Sequence, residues 1–221
     1  MGVSAGPNVI DTGLVLALDA GDTNSYSGIG TTWTDLSGNG NNGTLVNGVG
    51  YTSSNGGSLT FDEVNDYVDC GQILNNSAYT KIAWFRPETS TANIISGGSA
   101  TSQHAFWMAG SEHTLYSGHN NSWYIVSHRP NDPGDMLNQW WCGAVTFNTS
   151  TGWVLYLNGE QVDTDSDTTA PTGDGTVFIS AYGAAANLFD GDIPVVQIYN
   201  RALTASEIQQ NFNAIRGRFG I

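Results

Sequence analysis

Side chains that can exchange protons, attack a bond or hold a metal are scattered in this chain. Glutamates stand at 63, 88, 112, 160 and 207. None falls in an E-x-D-x-x-E run, the spacing by which one strand presents an acid and a nucleophile about 5–5.5 Å apart to a glycosidic bond. Histidines 104, 113, 119 and 128 show neither H-x-x-x-H nor H-E-x-x-H spacing, so a zinc-type pair on one face is not indicated. No G-x-S-x-G run follows a strand, as a nucleophile elbow requires. The chain therefore reads as a protein without catalytic machinery.

One acidic run has the rhythm of an oxygen-ligand loop. In V-D-T-D-S-D-T, Asp163, Asp165 and Asp167 occupy positions 1, 3 and 5, and Asp174 follows eleven residues after the first. Thr168 stands where the turn glycine belongs, Asp174 where a bidentate glutamate is expected, and the context is a hairpin. A solvated acidic loop is the favoured reading; calcium at Asp163, Asp165 and Asp167 is the alternative, and no other cofactor is indicated.

Aromatic residues raise a different chemistry. Trp107, Tyr116, Trp123 and Tyr124 lie close along the chain, with His119, Asn120 and Asn121 between them. Sugar faces stack on aromatic rings while amides and imidazoles satisfy hydroxyls, so Trp107, Tyr116, His119, Asn121 and Trp123 form a candidate carbohydrate site. Core packing would use the same rings equally well.

The elements that must position these residues are short strands. Alternating apolar residues mark 14–18, 58–61, 66–70, 79–85, 92–96, 104–109, 122–128, 141–147, 152–157 and 176–182, separated by loops such as SGNGNNGT and SNGGS. Asn158-Gly159, inside VLYLNGEQVD, supplies two positive-φ residues for a tight hairpin. PVVQIYNRALTASEI, at 194–208, runs from a strand into a helix start. Thr204 and Glu207 form a capping box there, and Ile208, Phe212 and Ile215 recur at helical spacing, giving a helix over about 205–215 with Gly217 as its stop. The expectation is one all-β domain over 1–221, a two-sheet antiparallel sandwich, with its terminal helix capping one end or edge.

Composition limits the partners. A formal charge of −14 and six Lys plus Arg argue against a nucleic-acid backbone and against an anionic membrane surface, leaving neutral glycans, cations and basic protein surfaces. No stretch has the roughly 20 apolar residues of a membrane span. The start, MGVSAGPNVIDTG, has neither the basic nor the apolar region of a secretion signal, and Gly6 breaks the myristoylation pattern. Cys70 and Cys142 read as buried free thiols, with one cross-sheet disulfide as the alternative.

Four ordered segments carry a resemblance: GLVLALDAGD with DLSGNGNNGTL, SLTFDEVNDYVDCG, WWCGAVTFNTSTGWVLYLNGEQV, and GDIPVVQIYNRALTASEI. Together they resemble the laminin-G-like, concanavalin A-like jelly roll, and the opening and the closing NAIRGRFGI look most like modules of tailed-phage structural proteins. The resemblance implies that the last strand returns beside the first, that a short helix covers the sandwich, and that the middle aromatics face a ligand-binding sheet. Two departures stand out. Glu63 replaces the glycine of the F-D-G motif, and Pro194 replaces an aspartate that ligates a structural calcium in laminarinase-type relatives. The function expected on this basis is a non-catalytic virion surface module, a head decoration or fibre-like protein that adheres to host or environmental glycans. Its partners would be other virion structural proteins, and self-association is compatible with the reading. The alternatives are a lectin module of a bacterial surface protein and a glycosidase with displaced carboxylates.

Overall fold

The alternation read in the sequence becomes strands because each inward residue finds a core. The computed structural model describes residues 7–74, 77–98, 104–130, 136–183 and 186–221, and the MGVSAG start lies outside them. In chain order the first strands are β1 (Leu14–Asp19), β2 (Thr32–Trp33), β3 (Gly43–Val46), β4 (Gly50–Thr52), β5 (Ser58–Asp62), β6 (Tyr67–Gln72), β7 (Ala78–Pro87), β8 (Ala92–Asn93) and β9 (Ile95–Ser96). They continue as β10 (Ala105–Ala109), β11 (Thr114–His119), β12 (Ser122–His128), β13 (Trp141–Asn148), β14 (Gly152–Leu157), β15 (Glu160–Asp165), β16 (Thr176–Ile179) and β17 (Asp190–Tyr199), followed by helix α1 (Ala205–Ile215).

One layer of the sandwich is a sheet ordered β15-β14-β13-β7-β17-β5-β4, with β1 also on β17. The facing layer holds β12-β11-β10-β8 and β2-β3-β6-β16-β9, linked by Ile94 N–H to the Phe106 carbonyl at 3.0 Å and Gly97 N–H to the His104 carbonyl at 2.7 Å. All pairings are antiparallel, and β1 lies against β17 with Leu16 opposite Ile198. Leu16, Phe85 and Phe147 from the first layer meet Phe106, Leu115, Val126 and Ile179 from the second. This is the two-sheet antiparallel sandwich that the alternation predicts, in the jelly-roll form that the resemblance implies.

Asn158 and Gly159 take φ of 50° and 81° and join β14 to β15. A Cβ on Gly159 would also come within 3.0 Å of Phe212 Cδ1, so this glycine serves both the turn and the docking of α1. The capping box forms as read, with Thr204 Oγ1 accepting from Glu207 N–H and Glu207 accepting from Thr204 N–H. The helix does not cap an end or edge of the sandwich. It lies on the outer face of the larger sheet, where Ile208 and Phe212 join Ile82, Trp84, Cys142, Val195 and Tyr199 in a second apolar cluster. Phe212 stacks on Trp84 with centroids 5.6 Å apart and planes at 5°. The α-helix ends at Ile215 with Arg216 as its C-cap, directly before Gly217; the chain continues as a 3-10 turn, Arg216–Arg218, and the positive φ comes at Gly220, at 74°. Arg218 then ties Asp19 and the carbonyls of Asn55 and Gly57 together, and Phe219 stacks on Trp84 and Trp140. The closing RGRFGI thus fastens the chain end to the sheet.

Both departures have local answers. Glu63 adopts φ of 60°, so the left-handed turn is kept without glycine. Pro194 has no N–H to donate, and the pairing of β17 with β7 shifts register between Asp192 and Val195. Its carbonyl accepts from Ala20 N–H at 2.9 Å. Cys70 and Cys142 are buried free thiols in separate clusters, and burial pushes both thiols up.

Two carboxyl groups, one at the helix start and one buried, pull stability in opposite directions. Hydrogen bonds from Arg201, together with those from Thr204, hold Glu207 down to about 2. Its contribution is complete above about pH 4.3 and fades as pH falls toward 2. Asp66 behaves oppositely. It is 4% exposed, its Oδ1 finds no partner, and burial plus the Asp62 charge raises it to about 6. A carboxyl raised above its unfolded value, about 3.9, costs stability once pH rises through the interval up to 6. Asp66→Asn, which keeps the shape of the neutral acid, is therefore expected to stabilise the protein at pH 7 and to have no such effect below about pH 4. Denaturant midpoints at the two pH values check this, and equal effects at both would contradict it.

Candidate functional site

The aromatic candidates are placed by two hairpins. Gly110 and His113 take φ of 79° and 50° in the turn between β10 and β11, which sets Ala109 opposite Thr114 and, two steps back, Trp107 opposite Tyr116. Asn120 and Asn121, at 53° and 66°, make the two-residue turn into β12. On β10 and β11, Phe106, Met108 and Leu115 are fully buried in the core, so period-two alternation sends Trp107 and Tyr116 to the outer face of this sheet. Tyr124 joins them from β12, 62% exposed. Ring centroids lie 5.4 Å apart for Trp107–Tyr116, 5.4 Å for Trp107–Tyr124 and 5.0 Å for Tyr116–Tyr124.

Beside this shelf Trp123 meets Tyr182 edge-on at 5.6 Å. Between them opens a cleft lined by Asn93, Ala105, Trp107, Trp123, Tyr182 and Asn187. The Trp107 indole N–H donates to the Trp123 carbonyl at 3.2 Å, which fixes the ring. Trp107, Tyr116 and Trp123 are thus brought together as the sequence suggests. Tyr182, Asn93 and Asn187 come from distant strands and loops, and nothing in the local pattern marks them.

His119 does not belong to the shelf. It is 1% exposed, packs on Phe147 and Trp153 at 4.8 and 4.6 Å, and its Nε2–H donates to the Thr169 carbonyl at 2.7 Å. The reason is the alternation of β11 itself: Leu115, Ser117 and His119 share the core side while Tyr116 faces out, and the register shift between Ser117 and His119 places its extra residues on β12. Burial is the main force that lowers His119 to about 4. Asn121 sits exposed at the hairpin tip. Its neighbour Asn120 clamps the loop before β16, donating to the Ala170 carbonyl and accepting from Thr172 N–H.

The acidic run is likewise not gathered around a point. Asp163 accepts from Ser127 N–H at 2.7 Å, Asp165 from Asp167 N–H at 2.7 Å, and Asp167 from Thr169 N–H at 2.8 Å. Each carboxylate closes a backbone turn or a strand contact. Among the described residues no group of three or more His, Cys, Asp or Glu is arranged to hold a metal ion, and Asp163, Asp165 and Asp167 each serve a backbone contact of their own.

A wider groove lies on the other sheet and includes Thr60, Arg86, Trp140 and Asp192. Trp140 is packed on Phe219 at 4.6 Å and overlain by the Arg86 guanidinium at 5.9 Å.

An antiparallel sandwich with an outward aromatic shelf has the architecture of the lectin-like jelly rolls. Residues 54–209 match the family model of the concanavalin A-like lectin/glucanases superfamily, and the chain belongs to that superfamily. Among solved structures it is similar to the fourth domain of AbnA, a GH43 extracellular arabinanase from Geobacillus stearothermophilus, solved with arabinotriose. That match has a TM-score of 0.68 and 17% identity over 90% of this chain and 98% of that one. The binding domain of botulinum neurotoxin DC, solved with SialylT, gives 0.71 and 15% over 93% of this chain and 52% of that one. The type G receptor binding domain gives 0.69 and 16% over 90% and 50%. The chain therefore spans about half of each toxin fragment, and at these identities the likeness is one of fold. A search of curated protein sequences finds no match.

Proposed function

We propose that this protein is a non-catalytic glycan-binding module carried on the surface of a phage virion. The observation that carries the binding part is the shelf of Trp107, Tyr116 and Tyr124, three rings on an outward face next to a cleft with amide groups on its rim. Exposed aromatic clusters of this kind mark ligand surfaces, because leaving them in water is unfavourable. The arabinanase domain solved with arabinotriose supports the same reading. No glutamate lines the cleft, in keeping with a binding role, and purified protein is expected to release no reducing sugar from β-glucans, agarose or carrageenan.

The virion assignment rests on the opening GLVLALDAGD and the closing NAIRGRFGI, which look like modules of tailed-phage structural proteins. Its partners there are other virion proteins. A glycan array run on the purified protein, with and without calcium, tests binding, and mass spectrometry of purified virions tests location. Glycan binding together with the protein's presence in virions is the expected result. Sugar release abolished by a single Glu→Gln change would replace the reading with that of a glycosidase.

A further inference from the structure

The shelf's polar groups and the protein's cations restrict which glycan it takes, given that it binds glycans at all. All six basic side chains can be located. Lys81 is fully buried in the core, where it donates to His104 Nδ1 at 2.7 Å. Arg86 is held by Glu88 and Asp192 at 2.8 and 2.6 Å, Arg201 by Glu207 at 2.6 Å and Arg218 by Asp19 at 2.5 Å. Arg216 lies over the Phe212 ring on the helix side. Arg129, just beyond β12, is paired with Glu112 at 2.8 Å. None lines the cleft. A carboxylate or sulfate on a sugar would meet no guanidinium there, and would approach a chain of net charge −14.

Of the cleft's two amides, Asn187 is exposed and Asn93 is engaged. Asn93 is 2% exposed; its Nδ2 donates to the Asn187 carbonyl at 3.0 Å and its Oδ1 accepts from Ser96 Oγ at 2.5 Å. With the Trp107 N–H also spent, the floor offers ring faces, and Asn187 is the one amide left at the rim for a directed hydrogen bond. Selecting one terminal sugar by its hydroxyl pattern needs such bonds. Stacking does not, and it accumulates with the number of sugar rings laid along the rings from β10, β11 and β12.

We propose that the shelf takes an interior run of an uncharged polysaccharide, reading ring faces rather than hydroxyl patterns, and rejects sialylated, uronic and sulfated glycans. The inference rests on the glycan-binding reading above, and the test separates the two. The whole protein and its Tyr124→Ala variant are titrated with cellotetraose, laminaritetraose, xylotetraose and arabinotetraose, and with glucose, xylose and arabinose. The acidic probes are sialyllactose, oligogalacturonate and carrageenan oligosaccharides. At least one neutral tetrasaccharide is expected to bind, on the order of tenfold or more tighter than its monosaccharide, with an affinity unchanged by added salt and reduced in Tyr124→Ala. An acidic oligosaccharide that binds as tightly, with affinity falling in salt and in Tyr124→Ala, overturns the charge assignment while leaving the shelf a glycan site. A monosaccharide that binds as tightly as its tetrasaccharide overturns the interior-chain assignment. If no saccharide of either class binds, the glycan reading itself fails and this inference with it.

Discussion

Trp107→Ala is expected to weaken glycan binding by about tenfold to a hundredfold, which corresponds to roughly 1.4–2.8 kcal/mol. The size follows from its position. Trp107 touches both Tyr116 and Tyr124 in the shelf and also forms one wall of the adjoining cleft, so its removal takes away a stacking surface and unseats the rings beside it. The fold should survive, because the indole is outside the core and its one hydrogen bond, to the Trp123 carbonyl, lies at the sheet surface. Trp107→Phe keeps a ring without the N–H and should retain most of the affinity. Calorimetric titration with the best neutral oligosaccharide checks both variants. Unchanged affinity in Trp107→Ala would remove the shelf from the account.

Phe212→Ala carries the largest expected effect on stability, a loss of about 3–5 kcal/mol. The eleven-residue helix α1 is shorter than the roughly 12–15 residues at which isolated helices become even marginal, so its order comes from the sheet beneath it. Phe212 is 6% exposed and lies parallel to Trp84. Thr204→Ala removes only the cap and should cost less, about 0.5–2 kcal/mol. Denaturant unfolding of the isolated protein gives both values. A Phe212→Ala protein as stable as the parent, yet unable to join virions, would mean that the helix docks to a partner and that its packing on Trp84 contributes little.

How far the sequence could be read depended on whether a signal was local. The Thr204–Glu207 box and the Asn158-Gly159 turn involve neighbours in the chain, and they form where read. The strands with clear alternation also appear, whereas β2, β3 and β4 have two to four residues each and are too short to show a period. The apolar stripe of Ile208, Phe212 and Ile215 told that something must cover it but not what. A stripe carries no information about its partner, and the helix proved to lie on a sheet face. His119 was misread for a different reason: it stands an even number of residues from Leu115 and Ser117 and an odd number from Tyr116, so alternation along β11 puts it on the core side, away from the ring it was grouped with. The run from Asp163 to Asp167 has calcium-loop spacing, but a strand and its Asx turns spread those carboxylates instead of gathering them. Tyr182 could not be found at all, since the contact that brings it to Trp123 joins segments far apart in the chain.

The most direct test of the central claim, that the outward aromatic face of β10, β11 and β12 is where this protein meets a glycan, is to record its indole N–H resonances while a neutral tetrasaccharide is added. Trp107 and Trp123 should shift in a saturable way. Trp33, Trp84 and Trp153, buried away from the shelf, should stay still and serve as internal controls. Saturable shifts confined to Trp140, in the groove of the opposite sheet, would place the glycan elsewhere and contradict the account.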